Sequence, residues 1–340
     1  MISANRMPSG KLGRMIAVTL IGAVALCANA HTASKAARWL REPAALRWGL
    51  LSARHVDQER VVPSTQFLLV YSPLVGRLEL SLIPASTPLP GSGESKKTKT
   101  LADAYGDAYM ADGDVERATR AAGIAAWEIV KTNAGAQDVP KEPLLWLNFD
   151  FPEAVRPGYL REIKAEILKT AGAPLFWLTF AANAAKLVRS EWTDAGIYDS
   201  VLLAQELRRL PAEAIGLSQF PAAELIERHI AFAARRTLGG PDEPGPATLE
   251  VLNATEISGV ALKATKILRL REFDVVHFGN TGVLQDEMRI ADNAGRSESA
   301  REILAALGCP AEDVVTEIEE HPRAEITVIL GRNFKTCSKF

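Results

Sequence analysis

The sequence Leu-Glu-Val-Leu-Asn at residues 249–253 decides the fold of the last third of the chain. Its apolar residues, with one charged residue between them, predict a β-strand with one buried face. The next residues, Ala-Thr-Glu-Ile-Ser-Gly at 254–259, are typical of a turn, and residues 260–270 repeat apolar side chains at helical spacing. This stretch therefore predicts a strand, a turn and an amphipathic helix in succession.

Four more elements follow this unit. Apolar runs at residues 273–278, 314–317 and 326–330 predict strands, and residues 297–307 predict a helix that ends at Gly308. The predicted order is strand, helix, strand, helix, strand, strand. Such an order is typical of a small α/β domain.

This pattern resembles the C-terminal domain of LytR-CpsA-Psr envelope proteins over residues 247–335. The matching segments are 251–255, 258–261, 273–276, 279–280, 300, 304–308 and 326–331. One segment departs from the family: a Thr-x-Ile-x-Tyr motif is expected before the second helix, and residues 288–292 read Met-Arg-Ile-Ala-Asp. The resemblance implies a ferredoxin-like module with its helices on one face of a sheet, which serves binding or packing rather than catalysis.

The composition is that of a globular protein. The chain has 340 residues, of which 47% are hydrophobic and 24% charged, so it is long enough for two domains that each bury a core. Its formal net charge is only -2 and it has no basic stripe. This balance argues against a nucleic-acid partner.

The N-terminus carries the parts of an export signal. The basic residues Arg6, Lys11 and Arg14 precede an uncharged apolar run at 15–28, and an Ala-Asn-Ala cleavage motif overlaps its end. The run is shorter than the ~20 residues that span a bilayer as a helix. Residues 1–34 are therefore either a signal peptide or a membrane anchor, and proteins of the resembled family usually keep an anchor. Both interpretations predict an extracytoplasmic protein, anchored in the membrane or released to the periplasm or medium.

A middle domain of strands and helices is predicted over residues 63–238. Residues 35–62 are expected to be a connector, and a linker rich in Gly and Pro follows at 239–246. The predicted elements are a hairpin of strands 66–71 and 77–83, a helix 115–131 capped by Asp114, a strand 144–149, helices within 157–210, a strand 214–220 and a helix 224–238. The predicted fold class is α/β: an export or anchor helix, a diverged α/β domain and the small C-terminal α/β domain.

The middle domain resembles the catalytic domain of the same family in order and spacing, but not at its charged positions. Residues 80–87 read Leu-Ser-Leu-Ile-Pro-Ala-Ser-Thr, where the family reads Leu-Ser-Ile-Pro-Arg-Asp-Thr. Ala85 and Ser86 therefore stand where the resemblance expects Arg and Asp, and Pro63 and Thr65 fall near a second such pair. In active members this domain transfers a lipid-pyrophosphate-linked glycopolymer to peptidoglycan, and guanidinium groups with Mg²⁺ neutralise the diphosphate.

Two functions remain open on these residues. The first is a non-catalytic envelope protein without a cofactor, which binds or scaffolds an envelope polymer or another envelope protein. The second is an active phosphotransferase with Mg²⁺, in which Arg156, Arg161 and Lys164 are the catalytic anion contacts. Lys99 and Arg161 are the candidates for anion binding, Arg77 is a further cation near them, and no metal-ligand set is assigned. A deep pocket lined by two or more arginines is the most useful single observation for this question.

Two pairs of side chains carry alternative interpretations. Asp103 and Asp107 lie one helical turn apart, so they could hold a metal, act as acid and base, or simply form a charged surface. Cys309 and Cys337 could form a disulfide in an oxidising compartment or remain two free thiols. The sequence leaves the choice within each pair open.

Overall fold

A computed structural model describes residues 28–42, 44–55, 64–91, 98–143, 145–151, 164, 197–240, 245–309 and 314–340. Several predicted features lie outside these residues: most of the export segment, the centre of the linker, most of the helices predicted within 157–210, and the candidate contacts Arg156 and Arg161. In the part of the chain that is described, no helix has both the length and the apolar character needed to cross a membrane.

The described chain contains both helices and strands. The helices are α1 Lys35–Arg41, α2 Leu101–Asp112, α3 Val115–Thr132, α4 Ile197–Arg209, α5 Ile226–Thr237, α6 Val260–Arg269 and α7 Ser297–Leu307. The strands are β1 Arg47–His55, β2 Thr65–Ser72, β3 Arg77–Ile83, β4 Leu145–Phe151, β5 Ile215–Gln219, β6 Thr248–Asn253, β7 Asp274–Asn280, β8 Arg289–Asp292, β9 Val315–Glu317 and β10 Ile326–Leu330. Short 3₁₀ helices lie at Ala212–Ala214, Ala223–Leu225 and Arg332–Thr336. The predicted α/β class is confirmed.

The described strands form one mixed sheet in the order β4-β1-β2-β3-β5-β9-β8-β10-β6-β7. β1, β2 and β3 are antiparallel neighbours, as the predicted hairpin requires, while β4 and β5 pair in parallel with β1 and β3 respectively. β5 also pairs in parallel with β9, which lies near the C-terminus. One sheet therefore runs through a middle region, residues 35–240, and a tail region, residues 245–340.

Helices cover both faces of the sheet in the middle region. On one face, α2, α3 and α5 pack against apolar side chains of β1, β2 and β3, among them Trp48, Leu68 and Ile83. On the other face, α1 and α4 pack against Tyr71 and Ile215. Because both faces are buried, β2 reads as a nearly continuous apolar run rather than an alternating one.

The segment expected to be a connector, residues 35–62, supplies α1 and the strand β1. Trp39 and Trp48 are 4% and 3% exposed, and the indole N–H of Trp39 donates to the carbonyl oxygen of Trp48 at 3.1 Å. The local strand signal is weak because β1 carries charged ends and the small residues Gly49, Ser52 and Ala53. Its pairing with β2 on one side and β4 on the other makes it a strand.

In the tail region, α6 and α7 cover one face of the sheet. Their apolar side chains share a single core with Leu249, Val251, Ile326 and Val328. The predicted strand-helix-strand unit is present, since α6 connects β6 to its direct parallel neighbour β7. A ferredoxin-like order would place another strand between these two, so that finer prediction is not confirmed.

The stretch 288–292, which departs from the family motif, forms the strand β8 from Arg289 onward. Ile290, the motif residue that is kept, is fully buried in the tail core. The buried Asp292 carboxylate accepts the backbone N–H groups of residues 294–296 at 3.2, 2.8 and 2.7 Å, and it also accepts the Thr316 hydroxyl at 2.7 Å. These four hydrogen bonds fix the turn that leads into α7.

Cys309 and Cys337 form a disulfide across 28 residues of sequence. The bond joins the residue that follows the end of α7 to the segment that follows β10, and Cys337 is buried in the tail core. Of the two alternatives that the sequence left open, the structure has the paired one.

Candidate functional site

The end of β3 is the place where the family resemblance expects an Arg-Asp pair. The structure places Ala85 and Ser86 exposed in the turn just after this strand, and the next residue, Thr87, is buried. None of these three side chains is ionisable in the physiological range. This strand end therefore supplies neither a guanidinium fork nor a carboxylate to hold a metal ion.

The charged residues that follow, at the start of α2, bind their own neighbours. Thr100 and Asp103 form a capping box, in which the Asp103 carboxylate accepts the backbone N–H of Thr100 at 2.8 Å. The Lys99 ammonium lies 2.8 Å from the Asp107 carboxylate in an exposed ion pair. Asp103 therefore caps a helix, and the predicted anion contact Lys99 already has a carboxylate partner.

Lys164 lies away from solvent. It is 4% exposed, and its ammonium donates to the carbonyl oxygen of Ile215, the first residue of β5, at 3.0 Å. Arg156 and Arg161, which the sequence groups with Lys164, lie outside the described residues. The catalytic role of these three residues stays a prediction.

A different group of charged residues comes together where the middle and tail regions meet. The cleft there has an empty volume of about 430 Å³, which includes space open to solvent. Its enclosed part has room for roughly one or two water molecules. The charged residues of its lining are Arg77, Glu79, Glu213, Arg235, Arg236, Glu298 and Arg301.

β3 and α5 supply the buried wall of this arginine-lined cleft. Side chains alternate between the two faces along a strand, so Arg77 and Glu79 share the face of β3 that α5 covers. Arg236 lies in the last turn of α5 and pairs with Glu79, with Nη1 3.2 Å from Oε2. The two side chains are only 11% and 2% exposed. This is a buried salt bridge between a strand and a helix.

Gly216 of β5 leaves the space that this salt bridge fills. A Cβ at this position would overlap the Glu79 carboxylate and lie 2.7 Å from the Cζ of Arg236. We therefore expect Gly216→Ala to lower the free energy of unfolding by about 1–3 kcal/mol in urea denaturation. Gly106→Ala in α2 is the control, because its Cβ meets nothing within 4 Å and alanine favours a helix. Equal effects of the two substitutions would contradict the close packing at Gly216.

Burial raises the pKa of the Glu79 carboxyl, while the Arg236 guanidinium and a hydrogen bond with Ser218 act in the opposite direction. The Ser218 hydroxyl also lies 2.8 Å from that of Ser81 and 3.4 Å from Nε2 of His229. Burial lowers the pKa of His229 to about 3, so its imidazole is neutral at physiological pH. A chain of buried polar groups therefore runs from the cleft into the interface between the sheet and α5.

The first turns of α7 supply the opposite wall. Glu298 Oε1 lies 3.7 Å from Nη2 of Arg77, and Nη2 of Arg301 donates to the carbonyl oxygen of Glu213 at 3.2 Å. The pKa of the Arg301 guanidinium is lowered, first by burial and then by the positive charges of Arg236 and Arg77. The Arg301 guanidinium is thus close enough to those of Arg236 and Arg77 to be repelled by both.

Comparison with known proteins identifies the tail region. Residues 247–334 match the LytR_C family, which is described as LytR cell envelope-related transcriptional attenuator. The match covers most of the tail region. The predicted resemblance to the C-terminal domain of LytR-CpsA-Psr proteins is confirmed for these residues.

The other comparisons add little to this family match. No curated protein matches the chain. A solved structure, LytR-CPS2A-psr family protein YwtF (TagT) with bound octaprenyl pyrophosphate lipid, shares 10% sequence identity over 77% of this chain and 90% of that chain, with a TM-score of 0.19. A TM-score this low carries no argument about the middle region.

The LytR C-terminal domain thus contributes Glu298 and Arg301 to the cleft. It contacts the middle region closely there, since a Cβ at Gly295, which has a φ of 82°, would lie 2.7 Å from the ring of Phe232 in α5. Sequence analysis identified Arg77 as a candidate cation but none of the other cleft residues. A charged residue on an otherwise apolar strand, as at Glu79, is a local sign of a buried ion pair.

Proposed function

We propose that the protein is an exported, non-catalytic envelope protein of the LytR-CpsA-Psr type, which binds or scaffolds an envelope polymer or another envelope protein. The LytR C-terminal domain at 247–334 supports the family relationship. The observation that carries the non-catalytic part is the uncharged, exposed pair Ala85 and Ser86 at the end of β3. This function requires no cofactor.

Transfer of a pyrophosphate-linked group needs several charges at the reacting phosphate. Guanidinium forks bind the phosphate oxygens, and carboxylate-held Mg²⁺ neutralises the leaving diphosphate. Near the end of β3, Lys99 is bound to Asp107, and Asp103 caps α2. These described residues therefore support binding or scaffolding better than phosphoryl transfer.

The alternative function, an active phosphotransferase with Mg²⁺, requires a site for pyrophosphate, and the arginine-lined cleft is the candidate for it among the described residues. The cleft lies at the opposite end of β3, roughly 25 Å from Ala85 at about 3.3 Å per residue. Its enclosed space is small and its lining includes four arginines and three glutamates, whereas a lipid chain binds in a largely apolar pocket. The cleft therefore supports binding of a small anion better than transfer from a lipid pyrophosphate.

An extracytoplasmic location is part of the proposal. Basic residues precede the apolar run at 15–28, which is the order of an export signal. The disulfide between Cys309 and Cys337 is of a kind that persists in oxidising compartments. Residues 1–34 then either anchor the protein in the membrane or are removed by cleavage.

Glycopolymer transfer tests this function directly. The full chain in detergent is incubated with a lipid-pyrophosphate-linked saccharide, Mg²⁺ and a peptidoglycan acceptor, with an active family member as the positive control. We expect lipid phosphate release to stay at the no-protein blank. Loss of one preorganised donor alone typically lowers a rate ~10² to 10³-fold, and several are missing here.

Phosphotransferase activity that depends on Arg161 would contradict the proposed function. Release well above the blank that disappears in Arg161→Ala, but persists in Arg228→Ala on the exposed face of α5, would establish the phosphotransferase. Arg228 is the matched control because it removes one arginine without touching the buried side of that helix.

A further inference from the structure

We propose that the arginine-lined cleft binds a phosphate-type oxyanion and that the middle region and the LytR C-terminal domain form this site together. Arg77 and Arg301 are the proposed direct contacts, and Arg236 adds positive potential beside them. Glu298 is the competitor that the anion displaces. This site goes beyond the proposed function and does not depend on whether the protein is catalytic.

Of the arginines Arg77, Arg236 and Arg301, Arg236 is the one whose charge is neutralised by a close carboxylate, that of Glu79. Its guanidinium lies 3.2 Å from the Glu79 carboxylate, and both side chains are buried. Its Cζ also lies 5.9 Å from the centre of the Phe232 ring, within the range of a cation–π interaction. Arg236 is therefore held in place and forms the fixed floor of the site.

Arg77 and Arg301 are less well neutralised. Glu298 lies 3.7 Å from Arg77, which is longer than a hydrogen bond, and its side chain is 49% exposed. Arg301 donates to the neutral carbonyl oxygen of Glu213, and it forms no salt bridge with any carboxylate in the described ranges. Burial and the positive charges of Arg236 and Arg77 lower the pKa of Arg301, and the negative charges of Glu298 and Glu79 oppose this to a lesser extent. An added negative charge between Arg77 and Arg301 would relieve this repulsion.

The lining selects the chemistry of the ligand. Guanidinium groups present planar forks of N–H donors that match the oxygens of a phosphate, and they repel cations. The four arginines and three glutamates of the lining make the cleft unsuited to a wholly apolar ligand. A compact oxyanion that accepts several hydrogen bonds at once fits these donors best.

The size of the site explains the role of Glu298. The enclosed space holds roughly one or two water molecules, so a phosphate needs more room than the cleft now offers. Glu298 lies on the first turn of α7 and half of its side chain faces solvent, so an outward rotation would place its carboxylate in water. The carboxylate would then act as an internal competitor for the anion.

The site also links the two regions of the chain. Arg77 and Arg236 belong to the middle region, whereas Arg301 and Glu298 belong to the LytR C-terminal domain. An anion held between Arg77 and Arg301 would bridge the two regions and stabilise their contact. Binding should therefore raise the unfolding temperature, and above the Kd the free energy of stabilisation should grow with the logarithm of the ligand concentration.

Isothermal titration of the full chain with sodium phosphate at low ionic strength tests the site. We expect saturable binding that weakens as salt is added. Arg77→Gln and Arg301→Gln should each weaken it at least about tenfold, because a charge-assisted hydrogen bond is lost. Arg117→Gln is the control, since Arg117 is exposed on α3 and pairs with Asp112 outside the cleft. Its binding should match the unaltered chain.

Glu298→Gln gives a test in which the substitution is expected to strengthen binding, so unfolding of the variant cannot imitate the result. Removal of the competing charge should tighten phosphate binding by about 3- to 10-fold. Glu302→Gln, an exposed carboxylate on the same helix, should leave it unchanged. Arg301→Lys keeps the charge without the fork and should give an intermediate affinity.

A second titration distinguishes two sources of the anion. Inorganic phosphate represents a free ion, and a glycerol-phosphate oligomer represents a phosphodiester polymer. Binding of phosphate alone identifies a small-anion site, and tighter binding of the oligomer identifies a polymer site. The proposal is overturned if neither the unaltered chain nor Glu298→Gln binds either probe at millimolar concentration. It is also overturned if the arginine variants bind as well as Arg117→Gln.

Discussion

Replacement of Arg236 by methionine will lower the free energy of unfolding by about 3–5 kcal/mol at pH 8, because Glu79 then remains buried without its cation. The two side chains are 11% and 2% exposed and lie 3.2 Å apart, so little solvent is present to replace the lost partner. Urea denaturation followed by circular dichroism measures the loss. This is the largest effect that we expect from a single substitution in the middle region.

Two controls separate the ion pair from a general loss of packing. Arg228→Met on the exposed face of α5 should change stability by less than about 0.5 kcal/mol. The double variant Glu79→Gln with Arg236→Met should recover much of the loss, since no buried charge is left. If the double variant is as unstable as Arg236→Met, the buried carboxylate is not the cause.

The pH dependence provides an independent check of the same pair. Burial raises the pKa of Glu79 above its ordinary value of 4.5, so above that pH the folded state binds more protons than the unfolded state. Protonated Glu79 therefore makes its full contribution to the free energy of unfolding below pH 4.5, and this contribution is lost as the pH rises through the pKa of Glu79 in the folded state. Removal of Arg236 raises that pKa further, so the deficit of Arg236→Met should be smaller at pH 5 than at pH 8.

Loss of the disulfide will destabilise the LytR C-terminal domain by about 3.5 kcal/mol. The chain-entropy relation gives this value for a loop closed across 28 residues. The bond holds the C-terminal segment against the end of α7, where the backbone N–H of Ser338 also donates to the carbonyl oxygen of Gly308 at 2.8 Å. Hydrogen exchange of α7 and β10 in Cys309→Ser with Cys337→Ser measures the loss within the tail region.

Reduction of the protein supplies the matching control. Dithiothreitol should reproduce the effect of the double substitution in the unaltered chain and should have no effect on the double variant. A thiol reagent that labels Cys309 and Cys337 in the denatured, unreduced protein would show that the bond is absent and would remove the basis of this expectation.

The middle and tail regions are joined by the pairing of β5 with β9. β9 pairs in parallel with β5, and Gln219 Nε2 donates to the Glu317 carboxylate at 3.3 Å across it. The LytR C-terminal domain therefore covers the edge of the middle sheet that β5 would otherwise expose, and exposed strand edges favour unwanted pairing. Independent folding of the isolated tail, with its boundary in the linker 239–246, remains a prediction.

Local patterns determined most of the tail region and parts of the middle region. The helix Ser297–Leu307 and the strand Ile326–Leu330 have their predicted bounds, and Asp114 caps α3 by accepting the backbone N–H of Glu116 at 2.8 Å. Residues close together in sequence decide these features. Hydrophobic spacing, a capping side chain and a terminal glycine suffice for them.

The sequence by itself determined an α/β chain with a LytR C-terminal domain at its end and an uncharged pair at 85–86. Only the tertiary structure decided that β1 lies inside the sheet and that β5 joins β9. Only the tertiary structure brought Glu79 to Arg236, which is 157 positions away, and placed Arg301 opposite Arg77. Such contacts give no repeating pattern in the sequence. Their energy comes from the burial and pairing of charges on elements that become neighbours only when the chain is folded.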